Sequence, residues 1–423
     1  MIGWASGGAI GLAAATTFVI SPLPPSQAAP NDRCAQPGSQ LRAVPWAQQL
    51  LSAERAWPFT TGRGVTVAVL SSGVDAGHPQ LAGRVRPGAD FLASDGSRPG
   101  NTDCAGLGTQ IAGVIAARES SAVGFHGLAP GAEILPVAVS ETEELTTPGA
   151  ERSGNPKTLA SAVNWAVGHG AKVLTIPVIT RTDDPALRGA INAALKADVV
   201  VVAAAGTVDT GPDPDPTAYP AAYPGVIAVG ALQPDGSLSM RSPRHSYVSV
   251  LGPGADLVST QRAGGLVPVS GTSIAAGYVS AAAALVRGRW PRLSAIEIAK
   301  RLQATATPAP GGPDDDGHGY GLVNPYQAVT EELVPARPRA LPTFAAPPSD
   351  AGQRARRAAW SASRNRAVLL AGGGLLVGLA VLFAAAAIPR GRRRRWRATL
   401  SRPHADDPGA DLPVPPRQLF EDV

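Results

Sequence analysis

Five short runs of consecutive apolar residues recur along the chain: VTVAVL (65–70), ILPVAV (134–139), KVLTIPV (172–178), VVVVAAA (199–205) and GVIAVGA (225–231). Their hydrophobicity is continuous rather than alternating, which marks strands buried on both faces and therefore a parallel sheet. Apolar positions at helical spacing predict helices near 107–118, 157–169, 185–196, 273–288 and 294–304. In the last of these Ser294 stands three residues before Glu297, the pattern of a capping box. Strands alternating with helices give an α/β protein in three layers, a mainly parallel sheet between helices. No internal repeat is evident.

Two polar loops interrupt this body, 140–156 and 207–220. The second carries Asp209, Asp213 and Asp215, a hint of calcium, but the interleaved prolines and the absence of a ligand pattern favour a solvated loop. No metal or cofactor site is expected. The body ends near Ala328, and Val334 to Trp360 is a Pro/Ala/Arg-rich stiff linker. Ala367–Ile388 is 22 residues without a charge, long enough to cross a bilayer, and the cluster RGRRRRWR follows at once. That cluster belongs on the cytoplasmic side. Gly374 and Gly378 within the span form a weak helix-packing motif. Residues 403–423 are Pro-rich and acidic, a tail without a core.

At the other end Gly3–Ile20 is apolar, and Ser26-Gln27-Ala28 resembles a small-x-small cleavage site. A signal peptide is the first reading. An uncleaved anchor is the alternative, because no Lys or Arg precedes the apolar stretch. The expected organisation is a leader or anchor (1–28), an N-terminal extension (29–60), the main domain (61–333), the linker (334–366), one transmembrane helix (367–388) and a basic, then Pro-rich cytoplasmic tail (389–423). The main domain would then lie outside the cell membrane.

Charge sharpens this picture. The 423-residue chain has formal net charge +5, yet twelve of its 37 basic residues fall between Arg354 and Arg402, where there is no acidic residue. The remainder carries 25 basic against 32 acidic residues, so the main body is acidic and lacks a nucleic-acid footprint. The 48 glycines and 41 prolines agree with a turn-rich globular domain. Cys34 and Cys104 are the two cysteines; in an exported body they suggest one disulfide, two free thiols being the alternative.

Candidate chemistry centres on Ser273 in VSGTSIAAGYVS, at the start of a predicted helix. It reads either as a cap for that helix or as a nucleophile held at its N-terminus. A serine attacks a carbonyl usefully only when a base removes its proton and donors stabilise the oxyanion. Gly271-Thr272-Ser273 with Ala275-Ala276, GVTVAVLSSGVDAGHPQL, DCAGLGTQIAGVIAA, GLAPGAEILPVAV and VVVVAAAG together resemble the subtilisin-like serine proteases. The AAGYVS continuation, with Gly277 where a common subtilase has proline, is similar to the mycosins. These are membrane-anchored subtilases of actinobacterial type VII secretion systems. The resemblance spans roughly residues 34–390. It implies a subtilisin-like fold and a Cys34–Cys104 pair, while a second family bridge has no counterpart here.

The departures decide what the resemblance implies. At the family's aspartate position stands Ser71, at its histidine position Leu107, and at its oxyanion asparagine position Thr207. Only Ser273 is retained. Leucine has no lone pair and cannot act as a base, and a neutral Ser71 cannot support an imidazolium. Of the histidines that might substitute, His78 reads as a structural residue of the turn, His126 as a loop residue, and His245 and His318 as residues of polar turns. Asp75 and Asp103 stand near the replaced positions but belong to the turn and to the Asp-Cys pair. The expectation is a proteolytically inactive subtilase domain serving as a scaffold or stabiliser of a secretion membrane complex, its groove able to take an extended peptide by strand addition. The alternative is an active endopeptidase using Ser273 with a non-standard base.

Overall fold

A computed structural model of the chain describes residues 34–92, 96–145, 153–208, 216–309 and 317–333. The expected leader, linker, span and tail lie outside the described residues, as do Asp209, Asp213 and Asp215. Among the described residues no helix is long and apolar enough to cross a membrane.

The strands in chain order are β1 (Thr66–Ser71), β2 (Ala89–Asp90), β3 (Glu133–Ala138), β4 (Val173–Ile176), β5 (Val200–Ala204), β6 (Ile227–Leu232), β7 (Val248–Pro253), β8 (Leu257–Thr260) and β9 (Leu266–Val269). The first seven form one sheet in the order β2-β3-β1-β4-β5-β6-β7, every neighbouring pair parallel. All five predicted strands are present. The short β2 and the more irregular β7 were not predicted, nor was the antiparallel β8–β9 hairpin. Side chains along β1 alternate between two cores. Val67 and Val69 pack on one side, and Ala68 and Leu70 on the other.

The first core is covered by α2 (Leu107–Ala116), α5 (Thr272–Arg289), α6 (Ala295–Ala304) and α7 (Pro325–Thr330), with α1 (Trp46–Leu51) at its margin. The second is covered by α3 (Pro156–Gly168) and α4 (Pro185–Lys196). Both of these begin alike: Asn155 and Asp184 accept backbone N–H groups of the first turn, and a proline follows each cap. Ser294 and Glu297 form the predicted capping box of α6. Helix α5 is buried from Thr272 to Arg287, as expected of a helix apolar or small on every face. Gly277 lets it press on α2, since a Cβ there would lie 2.5 Å from Val114 Cγ2.

The segment before α1 is tied to this body. Cys34 and Cys104, 70 residues apart, form a disulfide. Ser39 pairs with Leu266 and so adds to the β8–β9 hairpin. Further along, His126 is buried against Trp57, and its Nε2 lies 2.8 Å from Glu54 Oε1. It is the loop residue that the sequence suggests, but a packed and paired one. Burial alone would lower the His126 pKa, but the Glu54 carboxylate and the Gly127 carbonyl outweigh it and raise the net value. The hydrogen bond from His126 in turn lowers that of Glu54, against its own burial.

The signs fix a pH window. The histidine contribution is full below its ordinary value of 6.5 and is lost as pH rises through the raised one. The glutamate contribution is present above 4.5 and is lost as pH falls through the lowered one. Denaturant unfolding midpoints should thus decline as pH is raised from about 6 to 8.5, and His126→Gln should flatten that decline. An unchanged slope in the variant would show that the pair does not govern it.

Candidate active site

Strand β1 lies between β3 and β4, so the connections that follow it leave on opposite sides. At the carboxyl end of such a strand the loops diverge and leave a crevice, where open α/β sheets bind ligands. Ser71 is the last residue of β1; it is 1 % exposed, and its Oγ is buried without a hydrogen-bond partner. The next residue, Ser72, accepts at Oγ from Gly108 N–H (2.9 Å), which docks the start of α2 onto the end of β1. Leu107, half-buried, is the first residue of α2. The helix opens on buried Asp103, whose carboxylate accepts from Gly106 N–H, Thr109 N–H and Thr109 Oγ1–H at 2.7–2.9 Å. Burial pushes the Asp103 pKa up against these donors. Asp103 is thus the anchor of the α2 N-terminus, beyond its place beside Cys104. A cavity of about 380 Å³ adjoins it, lined by Ser72, Asp75, Asp103 and the Cys34–Cys104 disulfide among others.

Ser273 arrives from the other side. Gly271, at φ 137°, is the N-cap of α5 and turns the chain into the helix. A Cβ on it would stand 3.1 Å from Ser273 Oγ. Thr272 Oγ1–H donates to Gly206 O (2.8 Å) and fastens the helix start to the turn after β5. No side chain caps α5, so the capping role considered for Ser273 is not the one it has. Its Oγ–H instead donates to the carboxylate of Glu143, and Ser273 is 4 % exposed. Thr207 shares a cavity of about 200 Å³ with Ser273, Glu143, Glu144, Arg181 and Arg241. Arg181 closes part of its wall, reaching Glu144 Oε1 (3.3 Å), Pro216 O (2.9 Å) and Thr207 O (3.2 Å).

The structure therefore gathers Thr207 and Ser273 around one cavity, and Ser71 and Leu107 at the β1–α2 junction. Among the described residues no histidine lines the Ser273 cavity. His78 is buried, with Nε2 3.3 Å from Gly265 O, and His245 stacks on Tyr247. His318 is buried as well. Asp75 is committed to Gly77 N–H (2.9 Å) and Ala263 N–H (2.8 Å). No metal-binding group of three or more His, Cys, Asp or Glu occurs among the described residues. Sequence reasoning missed Glu143 and Arg181. The only signal for Glu143 is a Glu-Glu-Leu triplet a few residues beyond a buried strand.

Residues 62–321 match the model of the subtilase family. The chain belongs to that family. Among subtilases it is of the mycosin type. It is 34 % identical to mycosin-1 of Mycobacterium tuberculosis over 370 residues, which cover 74 % of this chain and 81 % of that protein. The crystal structure of MycP1 from the ESX-1 type VII secretion system superposes with a TM-score of 0.62 at 32 % identity, covering 73 % of this chain and 92 % of that one. That of the MycP3 protease from the type VII (ESX-3) secretion system gives 0.61 at 32 %, covering 71 % and 93 %. This subtilase thus has the fold expected of it, a mainly parallel sheet with flanking helices.

The partnerless hydroxyl of Ser71 sets up a stability test. Ser71→Ala removes a buried polar group that has lost its water, so it should be neutral or stabilise by up to about 3 kcal/mol. Ser71→Asp alone buries an unpaired carboxylate and should cost about 3 kcal/mol or more. Urea unfolding of the full chain measures both. A loss from Ser71→Ala larger than about 1 kcal/mol would mean that the hydroxyl is bonded after all.

Proposed function

We propose that this subtilase is a non-catalytic member of the mycosin type. In this reading it is a scaffold or stabiliser of a type VII secretion membrane complex, held outside the cell membrane by the apolar span Ala367–Ile388. The observation that carries the reading is the company Ser273 keeps. Its hydroxyl donates to a carboxylate, no imidazole of the described residues lines its cavity, and Thr207 stands where the family pattern has its oxyanion amide. In a subtilisin-type site, removal of the triad costs on the order of a million-fold in turnover. Loss of one oxyanion donor costs roughly a further 100- to 1,000-fold. Together these approach the whole enhancement such a site supplies. The secretion link is supported by the relatives, whose solved structures are of proteins from type VII secretion systems.

One observation favours a second reading, an active serine endopeptidase with a base other than histidine: the Glu143 carboxylate sits on Ser273 Oγ. A fluorophosphonate probe separates the two. The unmodified full chain should show no labelling that Ser273→Ala removes. The triple variant Ser71→Asp/Leu107→His/Thr207→Asn should gain it. Ser273-dependent labelling of the unmodified chain would sink the non-catalytic reading, and its disappearance in Glu143→Gln would establish the second. Capture of the tagged full chain from actinobacterial membranes should bring down secretion subunits; their absence would count against the scaffold role.

A further inference from the structure

The contact that quiets Ser273 is one end of a longer arrangement. Beyond β4 the chain continues extended through Ile179, and this edge is not left open. Ile179 N–H donates to Glu143 O and Leu145 N–H donates to Ile179 O, each at 2.8 Å. Glu144 thereby forms a parallel bridge with Ile179. Glu143 places its carboxylate on Ser273, Glu144 places its own on Arg181 (3.3 Å), and Leu145 is fully buried. Glu143 and Glu144 thus bring two carboxylate contacts to a single cleft, and the segment is held there by two backbone hydrogen bonds to Ile179 and by Leu145, which is anchored in the second core.

That is the full set of interactions by which an edge strand binds a peptide: main-chain pairing for affinity, side-chain contacts for selectivity. The chemistry of the cleft is specific as well. Its polar lining offers the Ser273 hydroxyl, the Arg181 guanidinium and, on the rim, exposed Arg241, a donor set suited to carboxylates. We propose that the cleft beside Ser273 is a binding site for an extended acidic peptide strand, and that the chain fills it in cis with Glu143–Leu145. A peptide partner then binds only by displacing this segment, and it competes best when it carries adjacent acidic residues. The proposal rests on the reading above in one respect, that Ser273 serves as a hydrogen-bond donor rather than a nucleophile.

The test uses Ser273→Cys in the full chain under non-reducing conditions, with a small methanethiosulfonate reagent. Cys34 and Cys104 are paired, so the introduced thiol is the one that reacts. With the segment in place labelling should be slow. Adding Glu143→Ala/Glu144→Ala should speed it by about tenfold or more, as the open state gains population. Because that variant loses two anchors at once, Glu143→Gln/Glu144→Gln is measured beside it; it keeps size and should still accelerate labelling. Cooperative thermal unfolding is recorded for each. The peptide Ser-Glu-Thr-Glu-Glu-Leu, added at the millimolar level that matches a short tether, should restore protection. The same peptide with Lys in place of the last two Glu should not.

Unchanged labelling in both double variants overturns occupancy in cis. Faster labelling that neither peptide reverses, or that both reverse equally, overturns the acidic selectivity. Thiol modification requires no acyl transfer. A catalytically active unmodified chain would therefore sink the non-catalytic reading without altering these outcomes.

Discussion

The burial of helix α5 on every side is the constraint on which the rest of the site depends. A helix with a polar face can roll or slide against its sheet; one enclosed from Thr272 to Arg287 can do neither without opening a core. Small residues make the enclosure possible, with Gly277 allowing the backbone of α5 close to Val114 of α2. Thr272 then locks the helix start to the turn after β5. The position of Ser273 is therefore a by-product of packing. It stays where a nucleophile would stand because the core holds it there, whether or not any chemistry is asked of it.

The same logic explains how the fold accommodates the residues found at positions 71 and 107. In this chain the N-terminus of α2 is organised by Asp103 and Ser72, not by any group at position 107. Leu107 is free to be apolar because the helix start does not depend on it. Ser71 is tolerated because a small buried hydroxyl without a partner costs only about 1–3 kcal/mol, a sum a domain with two large cores can carry. The scaffolding around each position is independent of the side chain at that position.

Much of this was legible in the sequence, and the parts that were not share a cause. The five predicted strands are continuous Val/Ile/Ala runs, and both-face burial leaves no other pattern. By contrast β2 is two residues long, β7 ends in Leu-Gly-Pro, and β9 contains Pro268, each too short or too interrupted for periodicity to register. At the site, Ser71, Leu107 and Thr207 could be singled out by their places in family motifs. Glu143 could not, because it lies in a loop read only as polar. Its role comes from pairing with Ile179, 36 residues on, and long-range pairing of an irregular segment leaves no periodic trace. The histidines divide similarly: the structural role read for His78 agrees with its burial, whereas the partner of His126 lies 72 residues earlier, where no local pattern points to it.

The attachment of the segment before α1 has a topological consequence. Residues 38 and 39 pair with 264 and 266, and the bridge from Cys34 to Cys104 closes the chain over the start of α2. Gly38 and Gly265 meet backbone to backbone, with no room for a side chain at either. This stretch is part of the woven body of the domain, not a wrapper around it. Any maturation that trims the polypeptide has a natural stopping point ahead of Cys34. A cut beyond it would unpick a strand and leave the covalent tie holding a loose end.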